Sequence, residues 1–215
     1  MTDFRTEKDS VGNIKVPANK YWGAQTQRSF ENFKIGEEKM PEILINSFAM
    51  QKKAAAISNI ALGNLDSKLG DAIIKVCDEI IDGKLYEQFP LSIWQTGSGT
   101  QTNMNLNEVI ANRANEILGK KLGEYFPIHP NDHCNLGQSS NDSFPTVMHI
   151  SILRSSRDNL IPMIEKLIKC LEKKESLIEH LKHMIDYNKK NKALLSFKYD
   201  YISSKINFVQ VSVIV

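Results

Sequence analysis

The stretch Trp94–Asn105 combines residue types that can bind a small anion. Residues Thr96–Thr100 have the sequence Thr-Gly-Ser-Gly-Thr, and an asparagine-rich helix is predicted to follow. Glycine allows close approach of the backbone and positive φ, whereas Ser and Thr offer hydroxyl and amide donors. A helix N-terminus adds a partial positive charge. The pattern therefore predicts a binding site for a carboxylate or a phosphate. The alternative is an ordinary turn between two helices.

A second polar stretch contains His129, Pro130, Asn131 and Asp132. Histidine is the usual proton carrier near neutral pH, and aspartate is a proton acceptor. Proline at 127 and 130 restricts the preceding residues to extended conformations, which stiffens the loop. The same pattern is also common in plain surface turns.

The third polar stretch, Gln138–Ser143, precedes Pro145 and an apolar segment. Capping residues followed by proline in the first turn predict a helix N-terminus. Its free amides, the hydroxyls of Ser139 and Ser140, and the Asn141 carboxamide also predict an anion site. An ordinary capping cluster is the alternative.

Helices are predicted to position these stretches. The first starts at Pro41, and apolar or small residues recur in it at intervals of three and four: Ile43, Leu44, Ser47, Met50, Ala54, Ile57 and Ile60. The second is capped by Asp66 or Ser67 and ends at Gly83. Its predicted apolar face consists of Leu69, Ile73, Val76, Cys77 and Ile80. The third runs from about Gln101 to Leu118. A longer apolar face follows at Met163, Ile164, Leu167, Ile168 and Leu171, which is typical of a helix bundle.

The third helix carries five asparagines, which compete with helical hydrogen bonds. They are Asn103, Asn105, Asn107, Asn112 and Asn115. Such a conflict indicates a functional or tightly packed polar site. Solvent-facing side chains are the alternative, especially for Asn112 and Asn115.

Residues 1–40 are predicted to be an irregular arm, with a short strand or hairpin at Val11–Val16. Tyr21–Arg28 is interpreted as an aromatic anchor, and a ligand contact from Thr26 or Arg28 is the alternative.

The composition limits the possible functions. The 215 residues carry a net charge of +2, so bulk charge indicates neither a nucleic-acid nor a membrane partner. No apolar run approaches the roughly 20 residues of a membrane span. Three cysteines match no zinc-binding spacing and favour reduced thiols in the cytoplasm. We expect no metal and no cofactor.

The three stretches in this order resemble the class II fumarases of the fumarase/aspartase superfamily. The resemblance covers about residues 4–175 and includes the arm. It rests on Arg5-x-Glu7-x-Asp9, Tyr21–Ser29, Thr96–Asn105, His129–Asp132 and Gln138–Asp142.

The resemblance implies that Ser98, Gly99, Thr100, Ser139, Ser140 and Asn141 bind a dicarboxylate. It also implies that His129, Pro130, Asn131 and Asp132 form a second carboxylate-binding position. The reaction would be the reversible, cofactor-free hydration of fumarate to L-malate in a homotetramer. An aspartate ammonia-lyase-like enzyme is an alternative within the superfamily, although its members tend to lack the histidine and the second serine.

The chain departs from this family after about residue 175. It lacks the Gly-Arg-Thr-His and Gly-Ser-Ser-x-Met-Pro motifs that carry the family's active-site residues, so no catalytic residue is assigned. His180 and His183 are expected to face solvent. Residues 206–215 have an apolar strand pattern. We interpret the chain as a truncated product with a shifted reading frame, or as a short paralogue with a new tail.

The expected fold is mainly α. It consists of an N-terminal helical domain with an irregular arm (residues 1–139), the start of a central long-helix bundle (140–175) and a divergent tail (176–215). A non-catalytic helical remnant or interaction module is the competing function.

Overall fold

The computed structural model describes residues 3–190, which are mainly helical. The elements are β1 (Phe4–Asp9), β2 (Gly12–Pro17), α1 (Ala24–Asn32), α2 (Glu42–Ala61), α3 (Ser67–Ile81), α4 (Thr100–Ile117), α5 (Ser140–Ser155) and α6 (Ile161–Lys190). Short helical turns occur at Tyr86–Gln88, Pro130–Cys134 and Ser156–Leu160. The chain divides after Ser155 into two compact units. The strand pattern expected at 206–215 lies outside the described residues.

The N-terminal arm contains more regular structure than the sequence predicted. β1 and β2 form an antiparallel hairpin in which Phe4 pairs with Pro17 and Asp9 with Gly12. The Arg5 guanidinium fixes the chain that follows, because it donates to the carbonyls of Lys20 at 2.6 Å and Trp22 at 2.7 Å. The short strand expected at Val11–Val16 is confirmed as β2, whereas β1 and α1 were not predicted.

Helix α1 is capped by two carboxylates from distant parts of the chain. Its cap residue, Gly23, has no side chain. Glu108 of α4 instead accepts the amides of Gly23 (2.9 Å), Gln25 (2.9 Å) and Thr26 (3.1 Å). Glu7 of β1 accepts the amide of Ala24 at 3.0 Å. Four amides that would lack partners at the helix start are thereby satisfied.

Helices α2, α3 and α4 surround the core of the first unit. Asp66 caps α3 by accepting the amides of Lys68 and Leu69, and the expected α3 face of Ile73, Val76, Cys77 and Ile80 is buried.

The face predicted for α2 is wrong in part. Met50 is 38% exposed and Ile57 is 49% exposed. The buried face consists of Ile45, Ser47, Phe48, Ala49, Lys52 and Ala56. Apolar residues occur on both sides of this helix, so their spacing did not distinguish the two faces. Lys52, a charged residue within the buried face, made that face harder to recognise.

All five asparagines of α4 are buried, so the solvent-facing alternative is wrong for Asn112 and Asn115. Asn112 donates to the Tyr21 carbonyl at 2.7 Å and accepts the Gly123 amide at 2.8 Å. Asn115 makes a pair of bonds to the backbone of Ile128, at 2.8 and 2.9 Å. The side-chain amides thus provide hydrogen-bond partners for the N–H and C=O groups of irregular backbone that packs against the helix.

The second unit contains α6, a helix of 30 residues. Met163, Ile164, Leu167, Ile168 and Leu171 form an apolar face that is largely exposed. His180 and His183 are exposed as expected, and so is Cys170, whereas Cys77 and Cys134 are buried. Among the helices within residues 3–190, none combines the length and the apolar character needed to cross a bilayer.

Candidate functional site

The first and third polar stretches lie side by side. The Thr100 hydroxyl lies 3.0 Å from the Ser98 hydroxyl and 3.0 Å from the Ser140 hydroxyl, 40 residues later in the chain. Ser98, Thr100, Ser139 and Asn141 are exposed, and Ser140 is partly exposed. The three bonded hydroxyls therefore form one accessible cluster.

Two helices begin at this cluster. α4 starts at Thr100 and α5 at Ser140. Gln95 Oε1 binds the amide of Thr102 at 3.0 Å, but in the described part of the chain no acceptor binds the amides of Thr100 and Gln101. Two helix N-termini and unpaired amides create a positive potential without a cationic side chain.

Gly99 joins the two loops by its conformation and its lack of a side chain. Its φ of +68° lies in the left-handed region, which glycine adopts without a steric cost. The Phe144 ring of α5 occupies the space where a Cβ atom would lie. The close approach of this ring brings the start of α5 against the start of α4.

The second polar stretch contributes to a cavity of its own. His129 has an extended backbone, as its position before Pro130 predicts. Its Nδ1 lies 3.2 Å from Asp132 Oδ2, and its ring contacts Tyr125 edge-on. His129, Pro130 and Asn131 line a cavity of about 270 Å³. The cavity is lined by Met104 of the first stretch, but not by Ser98, Gly99, Thr100, Ser139, Ser140 or Asn141.

The N-terminal arm contributes to the surroundings of both positions. The sequence did not predict this for residues 8–10, whereas a ligand contact from Arg28 was the alternative interpretation. Lys8, Asp9 and Ser10 line the cavity beside His129. Asp9, Ser10 and Arg28 also line a cavity of about 290 Å³ that reaches Thr100 and Gln101. The signal that could have revealed this is the hairpin, whose turn follows Asp9 and places residues 8–10 together.

An ion pair fixes the arm at these cavities. Arg28 donates to Asp9 Oδ2 at 2.7 Å and to the Gly12 carbonyl at 2.8 Å. The hydrogen bond from Arg28 lowers the pKa of the Asp9 carboxyl below its usual range. Arg28 is thus paired with the hairpin, which supports the interpretation of this region as an anchor.

The described residues provide no group of three His, Cys, Asp or Glu side chains placed to hold a metal ion.

Comparisons with known proteins identify one family. A family model described as "Lyase" matches residues 12–181. The class II fumarate hydratase of Rhizobium meliloti is 53% identical over 181 residues, which are 84% of this chain and 39% of that protein. The enzyme of Campylobacter jejuni is 57% identical over 172 residues, covering 80% of this chain and 37% of that protein.

Solved structures agree with the sequence matches. The crystal structure of class II fumarase from Schistosoma mansoni matches with a TM-score of 0.77 and 48% identity, over 80% of this chain and 36% of that chain. The chain therefore spans less than two fifths of the length of the relatives it matches.

Proposed function

The chain belongs to the lyase family and matches its class II fumarate hydratases, and on that premise we propose that it forms the dicarboxylate-binding N-terminal part of a fumarate hydratase. The observation that carries the proposal is the 3.0 Å contact between Thr100 and Ser140. It unites two polar stretches at the starts of two helices.

The chemistry of this site fits a small dicarboxylate. Hydration of fumarate to L-malate, run in reverse, removes a weakly acidic C–H proton next to a carboxylate, and that carboxylate gains negative charge. In the proposal, hydroxyls and amides of Ser98, Gly99, Thr100, Ser139, Ser140 and Asn141 donate to it. Fixed donors of this kind stabilise the developing charge more than the ground state.

Two further parts of the proposal concern the second position and the catalytic groups. His129, Pro130, Asn131 and Asp132 are proposed as a second carboxylate-binding position. The cavity that the first three of them line together with Lys8 supports this role. No catalytic residue is assigned, because the 215 residues contain neither of the motifs expected to supply proton transfer.

The proposal also includes the oligomeric state of the complete enzyme and its location in the cell. A homotetramer is proposed for the complete enzyme, and the exposed apolar face of α6 supports packing in a helix bundle. A cytoplasmic location is proposed from the cysteines, which are free throughout the described part of the chain.

We expect the 215-residue polypeptide alone to bind fumarate without hydrating it at an enzymatic rate, and to form the tetramer poorly. Fumarate absorbance and gel filtration, measured on one preparation, test this. Turnover at an ordinary enzyme rate, of about 1 s⁻¹ or more, or elution as a tetramer, would contradict the expectation. Displacement of fumarate by L-aspartate more strongly than by L-malate would favour the ammonia-lyase alternative.

Replacing Ser140 with alanine should weaken fumarate binding about tenfold or more, because a hydrogen bond to a charged group typically contributes about 1.5–3 kcal/mol. Isothermal titration calorimetry measures the change. Ser155→Ala, at the other end of α5, is the matched control and should bind like the parent chain. Equal affinities for S140A and S155A would exclude Ser140 from the site.

A further inference from the structure

Lys52 is a buried lysine without an acidic partner. It lies on the core face of α2 and is 1% exposed. Its ammonium group donates to Asn135 Oδ1 at 3.0 Å and to Gln138 Oε1 at 2.9 Å, and it lies 5.5 Å from the centre of the Phe48 ring. Within residues 3–190 it forms no ion pair with any carboxylate.

This burial is unfavourable for the ammonium group itself. Removal from water disfavours a charge unless polar partners replace the solvent. Burial accordingly lowers the pKa of Lys52 to about 7. The titratable groups beside it are the Cys77 thiol on α3 and the Cys134 thiol, both buried. Apolar residues are often as stabilising as buried charges, so core packing alone does not account for a lysine here.

The partners of Lys52 connect α4, which begins at Thr100, with the loop that leads to α5. Asn135 Oδ1 accepts three donors: Lys52 of α2, and also Asn103 (3.1 Å) and Asn107 (3.3 Å) of α4. α4 is the helix that begins at Thr100. One oxygen atom thus joins α2, α4 and the loop that leads to α5, which also explains why two of the α4 asparagines are buried here.

The loop that Lys52 contacts ends at the third polar stretch. Asn135 and Gln138 close a short turn, since Asn135 Nδ2 donates to the Gln138 carbonyl at 3.0 Å and the Gln138 amide donates to the Asn135 carbonyl at 3.0 Å. The next residue, Ser139, accepts the amides of Asp142 (3.1 Å) and Ser143 (2.8 Å) at the start of α5. A displacement of Gln138 would therefore move Ser139 and Ser140.

We propose that Lys52 is a positioning residue for the dicarboxylate site. It holds the turn Asn135–Gln138 against α4, and so keeps the Ser140 hydroxyl in contact with Thr100. An ammonium group suits this task because its three N–H donors can bind both side-chain carbonyls at once. The inference rests on the proposed function for its ligand, but its structural part can be measured without any ligand.

Lys52→Met tests the proposal, because methionine keeps most of the side-chain volume and removes the donors. We expect amide hydrogen exchange at Asp142 and Ser143 to become about tenfold faster, as for the loss of one charged hydrogen bond. Exchange in α3 should stay unchanged, and fumarate affinity should fall by a similar factor. Lys53→Met is the matched control, since Lys53 is adjacent, partly exposed and paired with Asp78; both measurements should match the parent chain.

Gln138→Met provides a second test that does not alter the core helix. It should accelerate exchange at the same two amides. The K52M/Q138M double variant should show less than the product of the two single effects, because both variants lose the bond between Lys52 Nζ and Gln138 Oε1. Unchanged exchange at Asp142 and Ser143 in K52M and Q138M overturns the proposal, and so does faster exchange spread evenly through α2 and α3. If K52M does not fold, the result for Q138M alone decides. Failure of the parent chain to bind fumarate would refute the proposed function instead. The exchange data would then still test whether Lys52 holds the turn Asn135–Gln138 in place.

Discussion

Replacing Glu108 with alanine is expected to lower the free energy of unfolding by about 3–5 kcal/mol, the range typical of breaking a buried charged network. Glu108 is 3% exposed, and it binds three amides at the start of α1. Alanine would leave the buried amides of Gly23 and Thr26 without an acceptor, at a cost of about 1–3 kcal/mol for each group that water cannot reach. The Gln25 amide, which is partly exposed, would also lose its acceptor. Burial raises the pKa of the Glu108 carboxyl, while the bonds from these amides act in the opposite direction.

Urea denaturation followed by circular dichroism measures this effect. Glu108→Gln should fall between the parent chain and E108A, because it keeps one carbonyl acceptor and loses the charge. The control is Glu124→Ala, which removes an exposed carboxylate and should change stability by less than about 0.5 kcal/mol. A loss below about 1 kcal/mol for E108A would show that α1 does not depend on this cap.

Gly99→Ala is expected to destabilise the first unit by about 2–4 kcal/mol and to weaken fumarate binding more than S140A does. The left-handed φ of +68° strains any residue with a Cβ. The new methyl group would also overlap the Phe144 ring, which packs on Phe48 with ring centres 6.2 Å apart. Because Phe144 lies in α5, its displacement would separate Ser140 from Thr100.

Gly97→Ala is the matched control for stability. Gly97 lies two residues earlier, its φ is outside the left-handed region, and no atom lies within 4 Å of a Cβ built there. Denaturation of both variants, with fumarate titration of G99A, separates backbone strain from a general intolerance of substitution in this loop. If G99A and G97A have equal stability, the Phe144 contact does not hold the two loops together.

The sequence predicted most of the helical framework because its signals are local. Asp66 and the apolar face of α3 act within a few turns, and the observed helix matches them. α1 could not be predicted in this way. Its cap residue is glycine and its acceptors are Glu7 and Glu108, which are distant in the sequence. The buried face of α2 was missed because Lys52, a residue type that is rarely buried, lies at its centre.

The candidate site was predictable in its residue types and only partly in its arrangement. Residue chemistry indicated hydroxyl-rich loops at two helix starts, and both are present at Thr100 and Ser140. Their contact depends on Phe144 filling the space beside Gly99, which spacing along the chain does not reveal. The participation of the hairpin turn near Asp9 and of Lys52 depends on tertiary packing.

The capping of α1 by distant carboxylates has a consequence for how the chain folds. A helix of nine residues is too short to persist alone, since isolated helices below about 12–15 residues are marginal in water. α1 acquires its acceptors only after β1 and α4 have come together. We therefore expect it to form late in folding, after a large loop has closed. Tyr125 binds the same Glu7 carboxylate at 2.6 Å. We therefore expect the hairpin, α1 and the Tyr125 loop to open and close as one cooperative unit.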